Sequence, residues 1–222
     1  MELGTPTGDV WEPMLPATLA ASRIWAAGGY LAIAGFISPE WLELLRTEAV
    51  AVRATGTRGV VLYSDATESR GGSPARAFRS AAGDTSHWGL HASSQITEAL
   101  GSLCNIAVTP SGSGTYSFYE EAGDFLALHR DVLKCDLTIV TCLSQHLADD
   151  SGGGLLIYPS HVAHRLSAAR AAGRAAGVPI PLRPGETALL LGGLVPHEVT
   201  PVAAGQDRIV AINCYRLGEA PS

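Results

Sequence analysis

The stretch Gly123-Asp124-Phe125-Leu126-Ala127-Leu128-His129-Arg130-Asp131 indicates a turn followed by a β-strand that ends in two metal-binding side chains. Gly-Asp is a common turn signal, and the residues after it are typical of a strand. Side chains two positions apart in a strand share one face, so His129 and Asp131 can reach one ion while Arg130 points away from it. We therefore predict that both donors lie at or just beyond a strand end.

A third donor stands in Pro196-His197-Glu198-Val199, where His197 follows His129 by 68 residues. Two imidazoles and one carboxylate on one face of an octahedral ion leave the opposite positions open. Fe(II) oxygenases need those open positions to bind a co-substrate and O₂. The three residue types therefore suit non-haem iron, with His129, Asp131 and His197 as its ligands.

The segments around His197 predict further short strands. Pro184-Gly185-Glu186 is a turn signal, residues 187–191 form a short apolar run, and Gly192-Gly193 is a second break. After another turn, residues 208–215 are typical of a strand, and the first of them is Arg208. A guanidinium matches a carboxylate in two parallel hydrogen bonds and stays charged, so Arg208 is a candidate anchor for a dicarboxylic co-substrate.

The order of these blocks resembles the Fe(II)/2-oxoglutarate-dependent dioxygenases, most closely their prolyl-hydroxylase-like branch. The resemblance covers residues 111–215, about half of the chain, and its specificity lies in the order of five separate blocks. These blocks are Tyr119 with Gly123-Asp124-Phe125, His129-Arg130-Asp131, Gly152-Gly153-Gly154-Leu155-Leu156-Ile157-Tyr158-Pro159, Pro196-His197-Glu198-Val199-Thr200-Pro201, and Arg208.

The resemblance implies a role for each matching residue. His129, Asp131 and His197 match the iron ligands, and the implied cofactors are Fe(II), 2-oxoglutarate and O₂. Arg208 matches the residue that binds the distal carboxylate of 2-oxoglutarate, although it lies eleven residues past His197, where nine or ten is commoner in that branch.

Two weaker assignments also come from the resemblance. Tyr119 stands where relatives place a tyrosine that binds the co-substrate, and Thr138 lies on a strand whose inward residues line the same pocket. A further co-substrate tyrosine of some relatives would fall near Cys142 and is missing here. Taken alone, an aromatic residue beside a turn, such as Tyr119, is more often part of a core.

We expect a mainly β fold, namely a double-stranded β-helix or jelly-roll barrel, braced by N-terminal helices. Residues 1–222 would form one domain, with helical support and a lid in 1–105 and the barrel in 106–217. The helices are predicted at 16–27, 38–54 and 94–103, and a short strand at 60–63. Residues 64–84 are predicted to be a long loop that acts as a lid, and 162–176 a helix or a projecting arm.

Composition agrees with a compact enzyme, because 46% of the 222 residues are hydrophobic and 16% are charged. A net charge of −6 disfavours nucleic acid as a partner, and no apolar run is long enough to predict a membrane span. The four cysteines, at 104, 135, 142 and 214, have no paired spacing. They are predicted to be reduced thiols of a cytoplasmic protein.

The expected reaction is oxidation, by default hydroxylation, of an unactivated C–H bond in a small molecule such as an amino acid or specialised metabolite, with release of succinate and CO₂. Desaturation, ring closure and epimerisation remain open. A prolyl-type hydroxylase acting on peptides is the alternative, followed by a jelly roll that binds metal without catalysis. We also expect His87 and His91 to face substrate rather than metal, and Arg165, Arg170 and Arg174 to form either a solvated face or contacts with an acidic substrate.

Overall fold

The computed structural model of the chain describes residues 5–7, 10–12, 15–147 and 152–218. Strands dominate, and most of them are short. They are β1 (Thr5–Thr7), β2 (Val10–Glu12), β3 (Tyr30–Ala34), β4 (Thr57–Val61), β5 (Arg76–Ala82), β6 (Val108–Pro110), β7 (Thr115–Tyr119), β8 (Phe125–His129), β9 (Leu137–His146), β10 (Leu155–Ile157), β11 (Val178–Ile180), β12 (Glu186–Leu190), β13 (His197–Val199) and β14 (Asp207–Leu217).

The strands from β3 onward form a nearly closed antiparallel barrel. One half has the order β5-β7-β14-β9-β12-β3, and the other half has the order β11-β10-β13-β8. Strand β5 pairs with both β7 and β8 and so joins the two halves. Within each half, strands distant in sequence become neighbours, as a double-stranded β-helix requires. The predicted fold class is confirmed.

Helices pack against the outside of the barrel. They are α1 (Ala17–Ala20), α2 (Arg23–Ala26), α3 (Pro39–Arg53), α4 (Thr85–His91), α5 (Ser94–Cys104) and α6 (Leu166–Ala172). The Ser38-Pro39-Glu40 start signal of α3 was predicted correctly, and the Ser38 side chain accepts the Trp41 amide as a cap. The single helix predicted for 16–27 is instead two short ones, because Ser22 caps a second start at Arg23.

The long loop predicted for 64–84 is wrong in its second half. Residues Arg76–Ala82 form β5, the strand that joins the two halves of the barrel. Their small and charged side chains give no apolar alternation, so the sequence carries little sign of a strand that is specified by its neighbours. The preceding strand also begins earlier than predicted, at Thr57 rather than 60.

The helices α3 and α4 pack on the outer face of the larger half-barrel through Glu48. Its carboxylate accepts the backbone amides of Asp84, Ser86 and His87 at 2.6–3.1 Å and the Tyr116 hydroxyl at 2.8 Å. A carboxylate from α3 thus satisfies the free amides at the start of α4. This contact fixes both helices to β7, which carries Tyr116.

Two of the four cysteines are joined, which corrects the prediction of reduced thiols. Cys135 and Cys214 form a disulfide with Cα atoms 5.0 Å apart, whereas Cys104 and Cys142 are free and buried. The pair is separated by 79 residues in the chain. Only the antiparallel pairing of β9 with β14 brings them together, so their spacing in the sequence gave no sign of the bond.

Among the described residues, no helix is both long and apolar enough to cross a lipid bilayer.

The turn that leads into β8 depends on Asp124, whose side chain has no exposed surface. Its carboxylate receives two hydrogen bonds from Arg58, at 2.6 and 3.2 Å, and one each from the Glu120 and Glu121 amides. Burial opposes ionisation, but these hydrogen bonds outweigh it and lower the pKa of Asp124. The negative charge therefore stabilises the fold.

We expect Asp124→Asn to lower the free energy of unfolding at pH 7 by about 2–3 kcal/mol, measured by urea denaturation. The folded-state pKa lies below the unfolded value of about 3.9, so this stabilisation is present above that pH and is lost as the pH falls through the folded pKa. The difference in unfolding free energy between wild type and variant should therefore become smaller below about pH 4. The control Asp207→Asn removes an exposed carboxylate and should change stability by less than about 0.5 kcal/mol. Equal stability of Asp124→Asn and wild type at pH 7 would contradict this role.

Candidate metal centre

The three predicted ligands lie together at one end of the smaller half-barrel. His129 ends β8 and His197 begins β13, and the two residues are direct partners across the antiparallel pair. Asp131 follows two residues after His129. One oxygen of its carboxylate, Oδ1, lies 3.6 Å from the Nε2 atom of each histidine. Their donor atoms all lie within 4.8 Å of one another, so one ion can contact all three.

Both histidines have the tautomer that metal binding needs. The Nδ1 atom of His129 lies 2.9 Å from the Ala127 oxygen, and that of His197 lies 2.9 Å from the Val195 oxygen. A carbonyl oxygen only accepts, so each Nδ1 carries a proton, and Nε2 is the ring atom left to bind a metal. Each ring is held by the carbonyl two residues before it.

Charge in the centre is balanced between the three side chains. Burial and the nearby His197 lower the pKa of His129. For His197, burial works in the same direction, but the Asp131 carboxylate outweighs it and raises the pKa. Burial alone would raise the pKa of Asp131, yet the two histidines hold it well below its ordinary value. The carboxylate is therefore ionised and can serve as an anionic ligand.

The geometry fits a small octahedral cation. With bonds of about 2.1 Å, neighbouring ligands of such an ion stand about 3 Å apart, slightly closer than the 3.6 Å between donor atoms here. Two imidazole nitrogens and one carboxylate oxygen are the donor set of a facial triad. His129 and His197 are each 7% exposed, so the ion would be largely shielded from water.

The second oxygen of Asp131 is held by Thr138. The Thr138 hydroxyl, on β9, donates a hydrogen bond to Oδ2 of Asp131. Oδ1 is then the oxygen that faces the two histidines. The sequence predicted that Thr138 lines the co-substrate pocket, and the structure shows a hydrogen bond to the carboxylate ligand at this position.

Gly192 leaves the space that Asp131 occupies. A Cβ atom at Gly192 would overlap Oδ2 of Asp131 and approach the Thr138 hydroxyl to 2.8 Å. The Gly192 carbonyl also accepts the Asp131 amide at 2.8 Å. At Gly193, a Cβ atom would lie 2.5 Å from the Arg70 guanidinium. The sequence marked this pair only as a break between strands, whereas both positions exclude a side chain for steric reasons.

Two buried arginines fix the main chain around the ligands. Arg70, in the loop before β5, donates to the carbonyl oxygens of Asp131, Val132 and Cys135 and forms a 2.9 Å ion pair with buried Asp136. It holds the segment 131–136 that follows β8. Nothing in the sequence singled out Arg70 from the other arginines of the loop predicted for 64–84.

Arg130, between the two ligands, points away from the ion as predicted, and it is only 1% exposed. Its guanidinium donates six hydrogen bonds to main-chain carbonyls of three different segments, and burial lowers its pKa to about 9. The acceptors are the oxygens of Glu68, Ser69, His161, Val162, His164 and Leu194.

Arg208 lies inside the barrel on β14, opposite Tyr119 of β7. It is 2% exposed and donates to the Gly153 oxygen at 3.0 Å. Its Nε atom has no hydrogen-bond partner, and within the described part of the chain no carboxylate forms an ion pair with it. The guanidinium borders a cavity of about 980 Å³ that Thr200 also lines, three residues past His197. A buried guanidinium beside an open cavity is suited to bind an anion.

Tyr119 and Gln145 flank Arg208 on the two neighbouring strands. Both pair directly with Arg208, Tyr119 from β7 and Gln145 from β9. Burial raises the pKa of Tyr119, so the phenol stays protonated. Gln145 also lines the cavity. The family resemblance puts the position of the co-substrate tyrosine of some relatives near Cys142, and Cys142 lies opposite Val210 rather than Arg208. A register shift in this pair, which alternation along the sequence does not indicate, brings Gln145 to Arg208.

The expectation that His87 and His91 face substrate is wrong. Both lie on α4 with no exposed surface, and their Nε2 atoms contact the Asn213 side chain and the Cys214 carbonyl. Asn213 is an odd-numbered residue of β14, so its side chain is on the opposite face from Arg208. The two histidines therefore belong to the packing between α4 and the outside of the barrel.

Two of the three arginines in the 162–176 region pair with acidic residues, whereas the buried Nε atom of Arg165 has no hydrogen-bond partner among the described residues. Arg170 pairs with Glu68 at 3.1 Å and Arg174 with Glu198 at 3.0 Å. Glu198 follows the ligand His197 and is 5% exposed. The predicted helix or arm is the helix α6 with a 3₁₀ turn over Arg174–Ala176, packed against the outside of the smaller half-barrel.

Solved structures share this fold. No family model matches the chain, and no curated protein does either. A prolyl-4-hydroxylase from Pseudomonas putida matches with a TM-score of 0.59 and 19% identity, over 90% of this chain and 99% of its own. The non-haem α-ketoglutarate-dependent epimerase SnoN of nogalamycin biosynthesis matches with a TM-score of 0.67 and 17% identity, over 89% of this chain and 79% of its own.

EctD from S. alaskensis, in a structure with 2-oxoglutarate and 5-hydroxyectoine, matches with a TM-score of 0.60 and 16% identity, over 91% of this chain and 78% of its own. These structural neighbours are Fe(II)/2-oxoglutarate oxygenases. The chain therefore has the fold of that class, as its ordered sequence blocks suggested.

We expect Gly192→Ala to weaken metal binding at least tenfold, because the new methyl group displaces the Asp131 carboxylate. The measurement is calorimetric titration of the metal-free protein with Mn(II) or Co(II), beside a circular dichroism spectrum that reports folding. Gly59→Ala is the matched control, since its Cβ would meet only the Arg76 side chain at 3.7 Å. Unchanged affinity in Gly192→Ala would show that the close approach to Asp131 is unimportant.

Proposed function

We propose that this protein is an Fe(II)- and 2-oxoglutarate-dependent oxygenase. The observation that carries the proposal is the meeting of His129, Asp131 and His197 within 4.8 Å at the end of a double-stranded β-helix. His129 and Asp131 come from the end of β8 and the loop that follows it, and His197 comes from β13, 68 residues after His129. Their donor types, tautomers and charge suit a ferrous ion with open coordination positions.

Arg208 has the role of co-substrate anchor in this proposal. It is buried, its Nε atom has no partner among the described residues, and it faces a cavity large enough for a dicarboxylate. It would hold the distal carboxylate of 2-oxoglutarate through two hydrogen bonds. Tyr119 is placed to donate its phenolic proton to the same carboxylate. The 2-oxo acid end would then be directed toward the metal centre.

Iron, when bound with 2-oxoglutarate and O₂, supplies the oxidation of an unactivated C–H bond with release of succinate and CO₂. The protein residues supply position and exclusion of water. The Nδ1–H groups of His129 and His197 donate to main-chain oxygens, which leaves each Nε2 as the atom that would bind the metal, and Thr138 binds the ionised carboxylate of Asp131. Arg130 and Arg70 hold the surrounding segments together around the centre.

The substrate that we propose is a small molecule such as an amino acid or specialised metabolite, and the default outcome is hydroxylation. The low exposure of the ligands supports a closed pocket, because a peptide substrate requires an open groove beside the metal. SnoN and EctD were solved with small molecules, nogalamycin RO and 5-hydroxyectoine. A prolyl hydroxylase from Trichoplax adhaerens was solved with a peptide fragment, so peptide hydroxylation is the second candidate.

We further propose that the chain acts as one catalytic domain in the cytoplasm. The N-terminal helices α3 and α4 pack directly on the barrel through Glu48 and the buried histidines, which supports a single unit. In a reducing compartment, the Cys135–Cys214 disulfide would be exposed to thiol exchange. The loop carrying Arg70 is the element that we propose to border the substrate.

We expect His129→Ala, Asp131→Ala and His197→Ala to abolish succinate formation, since each removes one of only three protein ligands. The assay loads the metal-free protein anaerobically with Fe(II), adds 2-oxoglutarate and a panel of metabolites and short peptides, admits air, and measures succinate. His146→Ala, at an exposed histidine, is the matched control and should retain full activity. Normal succinate release by Asp131→Ala would refute the ligand assignment. The compound that stimulates wild-type turnover most decides between small molecule and peptide.

Arg208→Ala should raise the half-saturating 2-oxoglutarate concentration at least tenfold, because it removes a charge-assisted pair of hydrogen bonds. The effect is measured by direct titration of 2-oxoglutarate as well as by succinate kinetics. Arg23→Ala removes an exposed arginine and should bind 2-oxoglutarate like the wild type. If the two variants bind it equally, Arg208 has no part in holding the co-substrate.

A further inference from the structure

The Cys135–Cys214 disulfide lies directly beside the carboxylate ligand of the candidate metal centre. Cys135 is in the segment that follows Asp131, and Cys214 is on β14 opposite Thr138 of β9. We propose that this disulfide is a thiol-sensitive lock on Asp131, so that its reduction weakens metal binding. The inference rests on the proposed function, and it adds a means of regulation to that site.

A short series of contacts connects the disulfide to the ligand. The Sγ atom of Cys135 lies 3.2 Å from the Thr138 hydroxyl oxygen, and that hydroxyl donates to Oδ2 of Asp131. Cys214 shares the inner face of the barrel with Thr138, because the two residues are direct cross-strand partners. The disulfide therefore packs against the Thr138 hydroxyl, and that hydroxyl determines which oxygen of Asp131 faces the histidines.

The segment 131–136 has other attachments, but none of them acts on the Asp131 carboxylate. Buried Asp136 pairs with Arg70 at 2.9 Å and with Arg216 at 3.2 Å, and the Asp131 main chain contacts Gly192 and Arg70. These bonds keep the segment in place after reduction. Loss of the disulfide should then loosen the orientation of the ligand rather than unfold the site.

In this proposal a reductant reaches the bond from the side of Cys214, the less buried of the two cysteines. Cys135 is 1% exposed, but Val132 and Leu133 of the same segment are 50% and 53% exposed, and Cys214 is partly buried. A dithiol attacks one sulfur as a thiolate, forms a mixed disulfide, and closes on itself with release of the second cysteine thiol. Two electrons and two protons pass to the protein, which gains two thiols, and the dithiol becomes a cyclic disulfide. Cys104 and Cys142 take no part.

The experiment compares Co(II) binding before and after reduction. Metal-free wild-type protein is treated with dithiothreitol, desalted under anaerobic conditions, and titrated with Co(II) beside the untreated protein, by calorimetry and by Co(II) absorption. We expect the affinity to fall about tenfold, which is the size of effect seen when groups supporting a metal ligand are lost. Reoxidation with glutathione disulfide should restore it. Differential alkylation and mass spectrometry should find Cys135 and Cys214 joined only in the untreated protein.

Variants separate a local effect from general destabilisation. Cys135→Ser with Cys214→Ser should bind Co(II) like the reduced wild type and should not respond to dithiothreitol. Cys104→Ser should keep the full response. Glu48→Gln weakens the contact of α3 with α4 on the outside of the barrel and leaves the disulfide intact, so we expect it to lower the melting temperature without changing Co(II) affinity. The lock is overturned if reduced and oxidised wild-type protein bind Co(II) with equal affinity. The lock is also overturned if Glu48→Gln loses as much Co(II) affinity as wild-type protein loses on reduction.

Failure of the lock and failure of the proposed function give different results. Oxidised wild-type protein that binds Co(II) no better than His129→Ala overturns both proposals, since there is then no metal centre to regulate. Oxidised protein that binds Co(II) tightly, with no change on reduction, leaves the oxygenase proposal intact and removes only the lock. Alkylation of Cys135 and Cys214 in untreated protein, without pairing after oxidation, also removes only the lock.

Discussion

The candidate site depends on holding an ionised carboxylate within 3.6 Å of two buried imidazoles. Taking a charge out of water costs several kcal/mol unless other groups compensate for the lost hydration. Thr138 binds one oxygen of Asp131, the two histidines face the other, and the amide and carbonyl of the same residue are bonded to Gly192 and Arg70. The amide, the carbonyl and Oδ2 of Asp131 thus have hydrogen-bond partners, while Oδ1 faces the two histidines where a metal ion would bind.

The need to hold the Asp131 carboxylate in place explains several residues around the site that are not ligands themselves. Gly192 and Gly193 are glycines because one adjoins Asp131 and the other adjoins the Arg70 guanidinium. Arg70 in turn pairs with Asp136, which also binds Arg216 and the Leu217 amide on the last strand. The ligand segment is therefore connected through charged side chains to strand β14, which also carries Arg208. The metal centre and the co-substrate anchor share one framework.

The sequence was most informative where local chemistry determines structure. The spacing of His129 and Asp131 and the position of His197 predicted a site that the fold brings together, and the order of short strands predicted the barrel. Prediction failed where the local structure is determined by residues that are distant in the sequence. Strand β5 has no apolar alternation and exists because β4, β7 and β8 surround it. The disulfide needed the register of β9 with β14, and Gln145 reaches Arg208 only through an irregularity in that register.

Arg130 donates six hydrogen bonds to main-chain oxygens of the described residues, three of them in residues 161–164 and two in the segment before β5. Because every residue has a main-chain carbonyl, these contacts do not depend on the side chains of the residues that Arg130 binds. Apart from Arg70, whose side chain itself holds residues 131–136, both segments can consequently diversify their side chains without loosening the main chain around the centre. Side chains of these two segments other than Arg70 are therefore positions where substitutions could alter selectivity while Arg130 is kept.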